Sequence, residues 1–458
     1  MKKPYVKPSI SKIVEGMPSK FGFREVVDPI TEIDGIPVEK LIKEYGSPLF
    51  VFSERTIRVV YRQAYMAFST RYPKVQFAWS YKTNYLDAVC RVYHQEGAWA
   101  EVVSGFEYDK ALRNGVPGDK IIFNGPDKTR EDLAKAIKNR SLIHIDHFDE
   151  LYTILSLTSE LEERPQVAIR VNMDTGIYPQ WDRFGFNYEN GEAWTAITRI
   201  MMSDKMDLVG LHTHIGTYIM SPKPYGVAAH KLAQLAKQIE EKWGHRISYI
   251  DLGGGFASKN TLRGAYLSGK DTTPSFEQYA DAISQALIES GFDSYNLPVL
   301  FLETGRALID DAGYLLGTVI ANKRLADGKR AMIIDIGVNL LFTAFWYEHE
   351  IHPAKDVPPY LEDTTVYGPL CMNIDVIRTN VKFPMLEPGD HVVIKRVGAY
   401  NTTQWLQFIN MRPNVVLIDM EGKVHVIRER ETLETITSLE KVPDHLKEIG
   451  LSDTTENN

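Results

Sequence analysis

Cysteine is nearly absent: Cys90 and Cys371 are the only two in 458 residues. A disulfide framework and a multi-cysteine zinc site are thereby excluded. Long apolar stretches are missing too, and no run approaches the roughly 18 residues that would span a bilayer. The basic start MKKPYVKPSISKIVEG lacks the apolar core of a signal peptide. Excess positive charge is also lacking. Lys and Arg total 52 against 60 Asp and Glu, a formal charge of −8, which argues against nucleic-acid and anionic-membrane partners. There is no internal repeat and no low-complexity segment beyond the polar tail SDTTENN. The expectation is a cytoplasmic globular protein with a sizeable core.

What is present is an alternation. Short apolar runs read as buried strands at 75–82, 142–146, 167–172, 208–214, 249–252 and 299–303. Helical patterns lie between them. Ala228, Leu232, Leu235, Ala236 and Ile239 share one face of a helix over 227–243, and Ser275 with Gln278 makes a capping box. Strands alternating with helices over about 260 residues point to a parallel sheet closed as a (β/α)₈ TIM barrel, with a doubly wound open sheet as the alternative. After about Asp311 the helices stop. Runs at 314–320, 332–337, 365–367, 391–396 and 414–419 read as a C-terminal β domain, a sandwich or small barrel. The expected divisions are 48–310 for the barrel, 311–445 for the β domain and 446–458 for the tail.

In such a barrel, chemistry collects at the C-terminal strand ends. Those ends carry Lys82, Arg170, His214, the run Gly253-Gly254-Gly255 and Glu303. A lysine held among apolar walls supports Schiff-base chemistry, although most lysines are solvated surface groups. Three glycines can bring backbone N–H groups against a phosphate or simply make a tight turn. His212 and His214 are spaced to point the same way on a strand and to hold a metal, as in a metal-dependent barrel hydrolase. The lysine, the arginine and the glycines at the other strand ends oppose that reading, and no metal is expected. Glu303 and Arg306 are compatible with an ion pair, or with a carboxylate on a heterocyclic nitrogen beside an arginine on a phosphate.

Taken in order, these segments resemble the fold-type III, pyridoxal-phosphate-dependent decarboxylases, the group containing diaminopimelate and ornithine decarboxylases. The resemblance runs from about Tyr45 to about Pro413. It includes Tyr45–Val51, Ser80–Asn84, Glu101–Gly105, Arg183–Gly185, Gly210–Gly216, Gly253–Gly255, Glu303–Arg306, Gly368–Cys371 with Asp375, and Gly398–Tyr400. It implies that Lys82 forms the internal aldimine with pyridoxal 5'-phosphate, that His214 stacks on the pyridine ring and that Glu303 pairs with its nitrogen. Gly253, Gly254, Gly255, Arg306, Thr217 and Tyr400 would surround the phosphate. Glu101, Glu107 and Arg170 match supporting positions. Cys371 matches the cysteine that protonates the substrate carbon from the partner subunit. The resemblance also implies a homodimer with shared active sites and a β domain completed by residues 1–47.

The sequence departs from this family at the substrate's far end. Diaminopimelate decarboxylases carry an arginine just after the segment resembling Asp335–Asn339, yet no arginine occurs between Arg330 and Arg378. The residue after the catalytic cysteine is acidic in that family; here it is Met372, followed by Asn373. A distal pocket near Phe342, Thr343, Phe345, Trp346, Met372 and Asn373 is therefore expected to be less charged. It suits an amino acid, free or attached to a carrier, with a neutral, aromatic or extended end. The alternatives are diaminopimelate decarboxylation proper, an amino-acid racemase or epimerase, and an inactive homologue that regulates a true decarboxylase.

Overall fold

Of eight short strands, seven carry an apolar side chain pointing into a common interior and the eighth a glycine, Gly210, and in each a polar residue follows two positions later. A computed structural model describes residues 27–358 and 360–447. Within it, β1 spans Leu49–Ser53, followed by β2 Val75–Ser80, β3 Trp99–Val102, β4 Ile121–Phe123, β5 Leu142–Ile145, β6 Gln166–Asn172, β7 Asp207–His212, β8 Tyr249–Asp251 and β9 Val299–Leu302. Strands β2 to β9 pair in parallel and in chain order, and β9 returns to β2, closing an eight-stranded barrel.

Ala78, Ile122, Leu142, Ala168, Tyr249 and Phe301 form one apolar cluster inside the barrel, with Trp99 packed against it. Alternation along each strand puts the next inward residue two positions on. Those residues are Ser80, Glu101, Asn124, His144, Arg170, His212, Asp251 and Glu303, one from each strand or its end. All but the half-buried Arg170 are buried. The barrel thus has an apolar floor and, toward the strand C-termini, a ring of polar groups.

Helices cover the barrel as the sequence pattern predicts. Lys223–Trp243 buries Ala228, Leu232, Leu235, Ala236 and Ile239, and it stops at Gly244, whose φ of 65° suits a residue without Cβ. Phe276–Glu289 begins with the Ser275–Gln278 capping box. Strand ends differ slightly from expectation. β2 stops at Ser80, and Lys82 stands in a one-turn 3₁₀ helix, Tyr81–Thr83, while β7 stops at His212. Both Lys82 and His214 therefore rise two residues above the barrel rim. β3 and β4, only four and three residues long, are too short for periodicity to reveal.

The second sheet is organised by β10, Gly313–Arg324. Its first half pairs antiparallel with β1 on one side and with His391–Lys395 on the other. Its second half pairs with β11, Arg330–Ile334. The sheet continues through β12, Leu361–Tyr367, and β13, Val376–Pro384; on the far side Val415–Ile418 and Val424–Arg428 extend β1. Strand β1 precedes the barrel in sequence yet belongs to this sheet. Ile33, Val38, Leu41 and Ile42 pack with Leu49, Val51, Leu316, Val393, Val416 and Ile418 in the same cluster. The part of the N-terminal segment before residue 27 and the tail after 447 lie outside the described residues. Among the described residues, no helix is long and apolar enough to cross a membrane.

Candidate active site

The polar ring opens into a cavity of about 740 Å³ between the barrel rim and the second sheet. Its wall includes Lys82, His214, Thr217, Gly254, Gly255 and Glu303, together with Arg306, Phe345, Trp346 and Tyr400. Residues from four barrel-strand ends thus converge with two segments of the β domain.

Lys82 is placed by the turn that ends β2. Trp79 stacks on Tyr93 and donates its indole N–H to Asn84 O at 3.2 Å, which pins that turn from below. The Lys82 Nζ donates to both carboxylate oxygens of Glu101, at 2.8 and 2.7 Å. Burial disfavours the ammonium, but Glu101, with Tyr400 and Glu303 behind it, outweighs burial and holds the lysine above its ordinary pKa. Glu101 and Glu303 are bridged by Asn124, whose Nδ2 donates to Glu101 Oε1 at 2.9 Å and to Glu303 Oε1 at 2.6 Å.

Below Glu303 lie two histidines. His212 Nε2 is 3.4 Å from Glu303 Oε2, and His144 Nδ1 is 3.9 Å from Oε1. His144 Nε2 meets Tyr249 Oη at 2.8 Å. Burial, reinforced by Arg170 for His212 and by His212 for His144, holds both well below the ordinary imidazole pKa, so both are neutral. His144, His212 and Glu303 have ligand atoms within 4.8 Å of one another. The pairing read from His212-x-His214 is not what the fold makes. His212 turns toward Glu303, whereas His214 leaves the strand, lines the cavity and stacks on Trp181 with ring centroids 5.5 Å apart and planes 6° apart. Burial, with Arg170 and Lys82 adding to it, pushes His214 down to about 3.

The other end of the cavity is built for an anion. Arg306 is buried, its guanidinium lies 4.6 Å from the Tyr400 ring, and Nη1 has no hydrogen-bond partner. Nη2 reaches Thr217 Oγ1 at 3.4 Å. An unpaired buried guanidinium nitrogen is costly unless a ligand completes it. Two glycines let the chain approach this closely: a Cβ on Gly255 would stand 2.1 Å from Gly216 O, and one on Gly305 would stand 2.0 Å from Thr83 Oγ1. The second contact locks the Glu303–Arg306 turn against the Lys82 turn. Tyr400 adds a third tie, its N–H donating to Thr83 O at 2.9 Å from a left-handed backbone with φ of 64°. A primary amine, a carboxylate and an imidazole thus share one cavity with a guanidinium whose Nη1 has no partner. That donor set fits pyridoxal phosphate.

Other sequence-predicted residues stand further back. Glu107 is buried in the first turn of the helix Gly105–Arg113 and accepts the Val103 N–H at 2.9 Å. Arg170 lies over the Phe184 ring at 4.4 Å, with Asp146 at 3.6 Å. Phe342 is not on the cavity wall but packs edge-on against Phe345 and Trp346. Thr343 is buried and bonded to Asn401 and His349, facing the β-domain interior rather than the cavity. Cys371 is exposed and, with Met372 and Asn373, lies off the wall, on the turn between β12 and β13. That turn is held by Asp375, which accepts the N–H groups of Leu370 and Val338 at 2.7 and 2.8 Å. Sequence reading missed Asn124, Trp181, Tyr218, Leu262, Arg263, Tyr347 and Gln404.

The family model described as pyridoxal-dependent decarboxylase, pyridoxal binding domain, matches residues 58–310. The chain is 32% identical over 440 residues to the diaminopimelate decarboxylase of Methanocaldococcus jannaschii, covering 92% of this chain and 97% of that one. With the diaminopimelate decarboxylase of Bacillus subtilis the identity is 28%, over 89% and 94%. The solved M. jannaschii structure superposes with a TM-score of 0.84 at 31% identity, over 92% of this chain and 98% of that one. The lysine/ornithine decarboxylase of Vibrio vulnificus shares the fold at a TM-score of 0.71 and 22% identity, over 84% and 98%.

Proposed function

The chain belongs to the pyridoxal-dependent decarboxylases, and on that premise we propose that it removes carbon dioxide from an amino acid whose far end lacks the paired ammonium and carboxylate of diaminopimelate. It is a carboxy-lyase whose cofactor is pyridoxal phosphate. When bound, the cofactor supplies the electron sink that decarboxylation requires.

The chain's own residues do the rest. Lys82 provides the amine that holds the cofactor. Glu303 offers its carboxylate to the ring nitrogen and favours its protonated form. Arg306, Thr217 and Tyr400 form the receptor for the phosphate, with the N–H groups of Gly254 and Gly255 beside them; the Gly253 N–H is taken by Asp251 Oδ1 at 2.8 Å, and Gly253 lies off the cavity wall. Holding the cofactor at both ends would fix its orientation in the cavity, which places the substrate's departing carboxylate reproducibly. Cys371 delivers a proton to the substrate carbon from a second subunit. Its exposed place off its own cavity wall supports a homodimer with two shared sites.

The observation that carries the substrate proposal is the aromatic part of the cavity wall. Phe345, Trp346 and Tyr347 line it, backed by Phe342, and Glu303 is the sole carboxylate on the described cavity wall. Among the described residues of this wall, no acidic side chain stands ready for a distal ammonium. A charge-assisted hydrogen bond contributes about 1.5–3 kcal/mol, so its absence weakens a distal ammonium roughly 10- to 100-fold. The test is CO₂ release, with pyridoxal phosphate, over a panel. Diaminopimelate, lysine and ornithine stand against aromatic and long-tailed amino acids with no second amino group. Turnover confined to the latter is expected; diaminopimelate turned over best would overturn the substrate proposal. The second reading, diaminopimelate decarboxylation itself, is favoured by the M. jannaschii relative's 32% identity over nearly the whole chain.

A further inference from the structure

The cavity wall carries three cations and one carboxylate: Lys82, Arg306 and Arg263 against Glu303. If the roles proposed above hold, Lys82 and Arg306 are committed to the cofactor, and Glu303 to its ring. Arg263 is then left over. It comes from the loop after the glycine run, outside the segments 340–373 where the sequence places the substrate's far end.

That loop is fastened to the aromatic wall. Arg263 N–H donates to Trp346 O at 2.8 Å, Glu348 N–H donates to Thr261 O at 2.8 Å, and Leu262 bridges Tyr347 in antiparallel register. The backbone of Arg263 is therefore fixed beside Trp346, while its side chain remains exposed. Its Nη2 makes one bond, to Val376 O at 3.3 Å, and among the described residues no carboxylate pairs with it. The neighbouring Arg378, by contrast, is engaged by Glu348 at 3.5 Å and by His349 O at 2.6 Å. Gln404, exposed on the same cavity wall, has no hydrogen-bond partner among the described residues. A guanidinium and a primary amide, both with free donors, thus stand on a wall whose nearest neighbours are aromatic and aliphatic.

We propose that Arg263, assisted by Gln404, receives an anionic group at the far end of the substrate, with Trp346, Phe345 and Leu262 bracketing an apolar spacer. The substrate class is then an α-amino acid ending in a carboxylate and carrying no second amino group. This deepens the decarboxylase reading and rests on it. A guanidinium matches a carboxylate in bidentate geometry, and the missing acidic partner explains why an ammonium there goes unrecognised.

The test compares 2-aminopimelate, which is diaminopimelate without its second amino group, with its side-chain amide and with diaminopimelate. For the holoenzyme, kcat/KM for 2-aminopimelate should exceed that for the amide by about 10- to 100-fold. In Arg263→Leu that ratio should fall to near one, through KM, and Gln404→Leu should lower it less. A second readout needs no turnover: pimelate should raise the melting temperature of the native holoenzyme, and that of Arg263→Leu by far less. Bound-cofactor absorbance shows that each variant is folded and loaded. An unchanged acid-to-amide ratio in Arg263→Leu, or equal stabilisation of both proteins by pimelate, overturns the role of Arg263. Absence of CO₂ from every amino acid, with cofactor bound, overturns the decarboxylase reading instead.

Discussion

Asn124 holds Glu303 in place: its side-chain amide donates to Glu303 Oε1 at 2.6 Å while reaching Glu101 Oε1 at 2.9 Å. Two carboxylates that would otherwise repel share one neutral donor in a buried layer. Replacing Asn124 with Leu leaves Glu303 Oε1 without its donor, at about 1–3 kcal/mol for an unsatisfied buried group, while Glu101 Oε1 keeps Lys82. The urea midpoint of the cofactor-free protein should fall accordingly. Asn124→Asp should be worse at neutral pH, because a third carboxylate joins the pair, and should recover part of the loss under mild acid. A midpoint unmoved by either change would show that the bridge contributes nothing.

Lys82, the lysine proposed to hold the cofactor, is held as an ammonium by Glu101. Attachment of cofactor needs the neutral amine. In Glu101→Gln the principal charge favouring the ammonium is gone, so burial prevails and the lysine's pKa drops. The rate of cofactor attachment, followed by visible absorbance, should therefore rise at a lower pH in the variant than in the native protein. If the two pH profiles coincide, Glu101 does not set the protonation of Lys82.

The proposed sharing of active sites between two subunits predicts complementation. Lys82→Ala and Cys371→Ala should each abolish most CO₂ release alone. Mixed and allowed to exchange subunits, half of the dimers are heterodimers with one intact site of two. Activity should then recover to about one quarter of native. Recovery measured after refolding the two variants together checks this, and no recovery would place Cys371 within its own subunit's site.

Much of the barrel was legible because its strands are buried and regularly spaced, and because inward residues recur every second position. What the alternation concealed was length. Ile121–Phe123 is too short for a period-two pattern, so Asn124, the residue that follows it, was passed over. Glu101, at the end of another short strand, was found through resemblance rather than pattern. Applying one rule at every strand, that the inward residue after the apolar floor faces the site, would have gathered Ser80, Glu101, Asn124 and Asp251 alongside Glu303.

The cavity's far side was less legible for a different reason. Tyr347 and Arg263 come from two loops joined by backbone pairing between 261–263 and 346–348, and Gln404 comes from a third, tied instead through Leu406 N–H to Asn339 O. No local pattern announces that contact. Thr343 was expected beside Phe345 on the wall, but the one-turn 3₁₀ helix Phe342–Phe345 rotates it inward toward Asn401. A four-residue turn presents its side chains in several directions, so consecutive residues do not share a face.

Glu107 makes the pH dependence of folding testable. Its carboxyl is buried and feels the Glu101 charge, and together these push it up to about 7 despite the opposing Val103 N–H and Lys82. The ordinary value is 4.5. Between those two values the unfolded chain has released a proton that the folded chain still holds. Stability must then decline as pH rises through this window, the reverse of the usual salt-bridged carboxylate. The full loss is on the order of 3 kcal/mol from the size of the shift. Glu107→Gln keeps a carbonyl to accept the Val103 N–H and cannot ionise. Its stability relative to the native cofactor-free protein should be similar near pH 4.5 and increasingly greater toward pH 8, measured by urea unfolding across that range. A difference that stays flat with pH would mean that Glu107 ionises normally and that its burial is relieved by the surrounding charges.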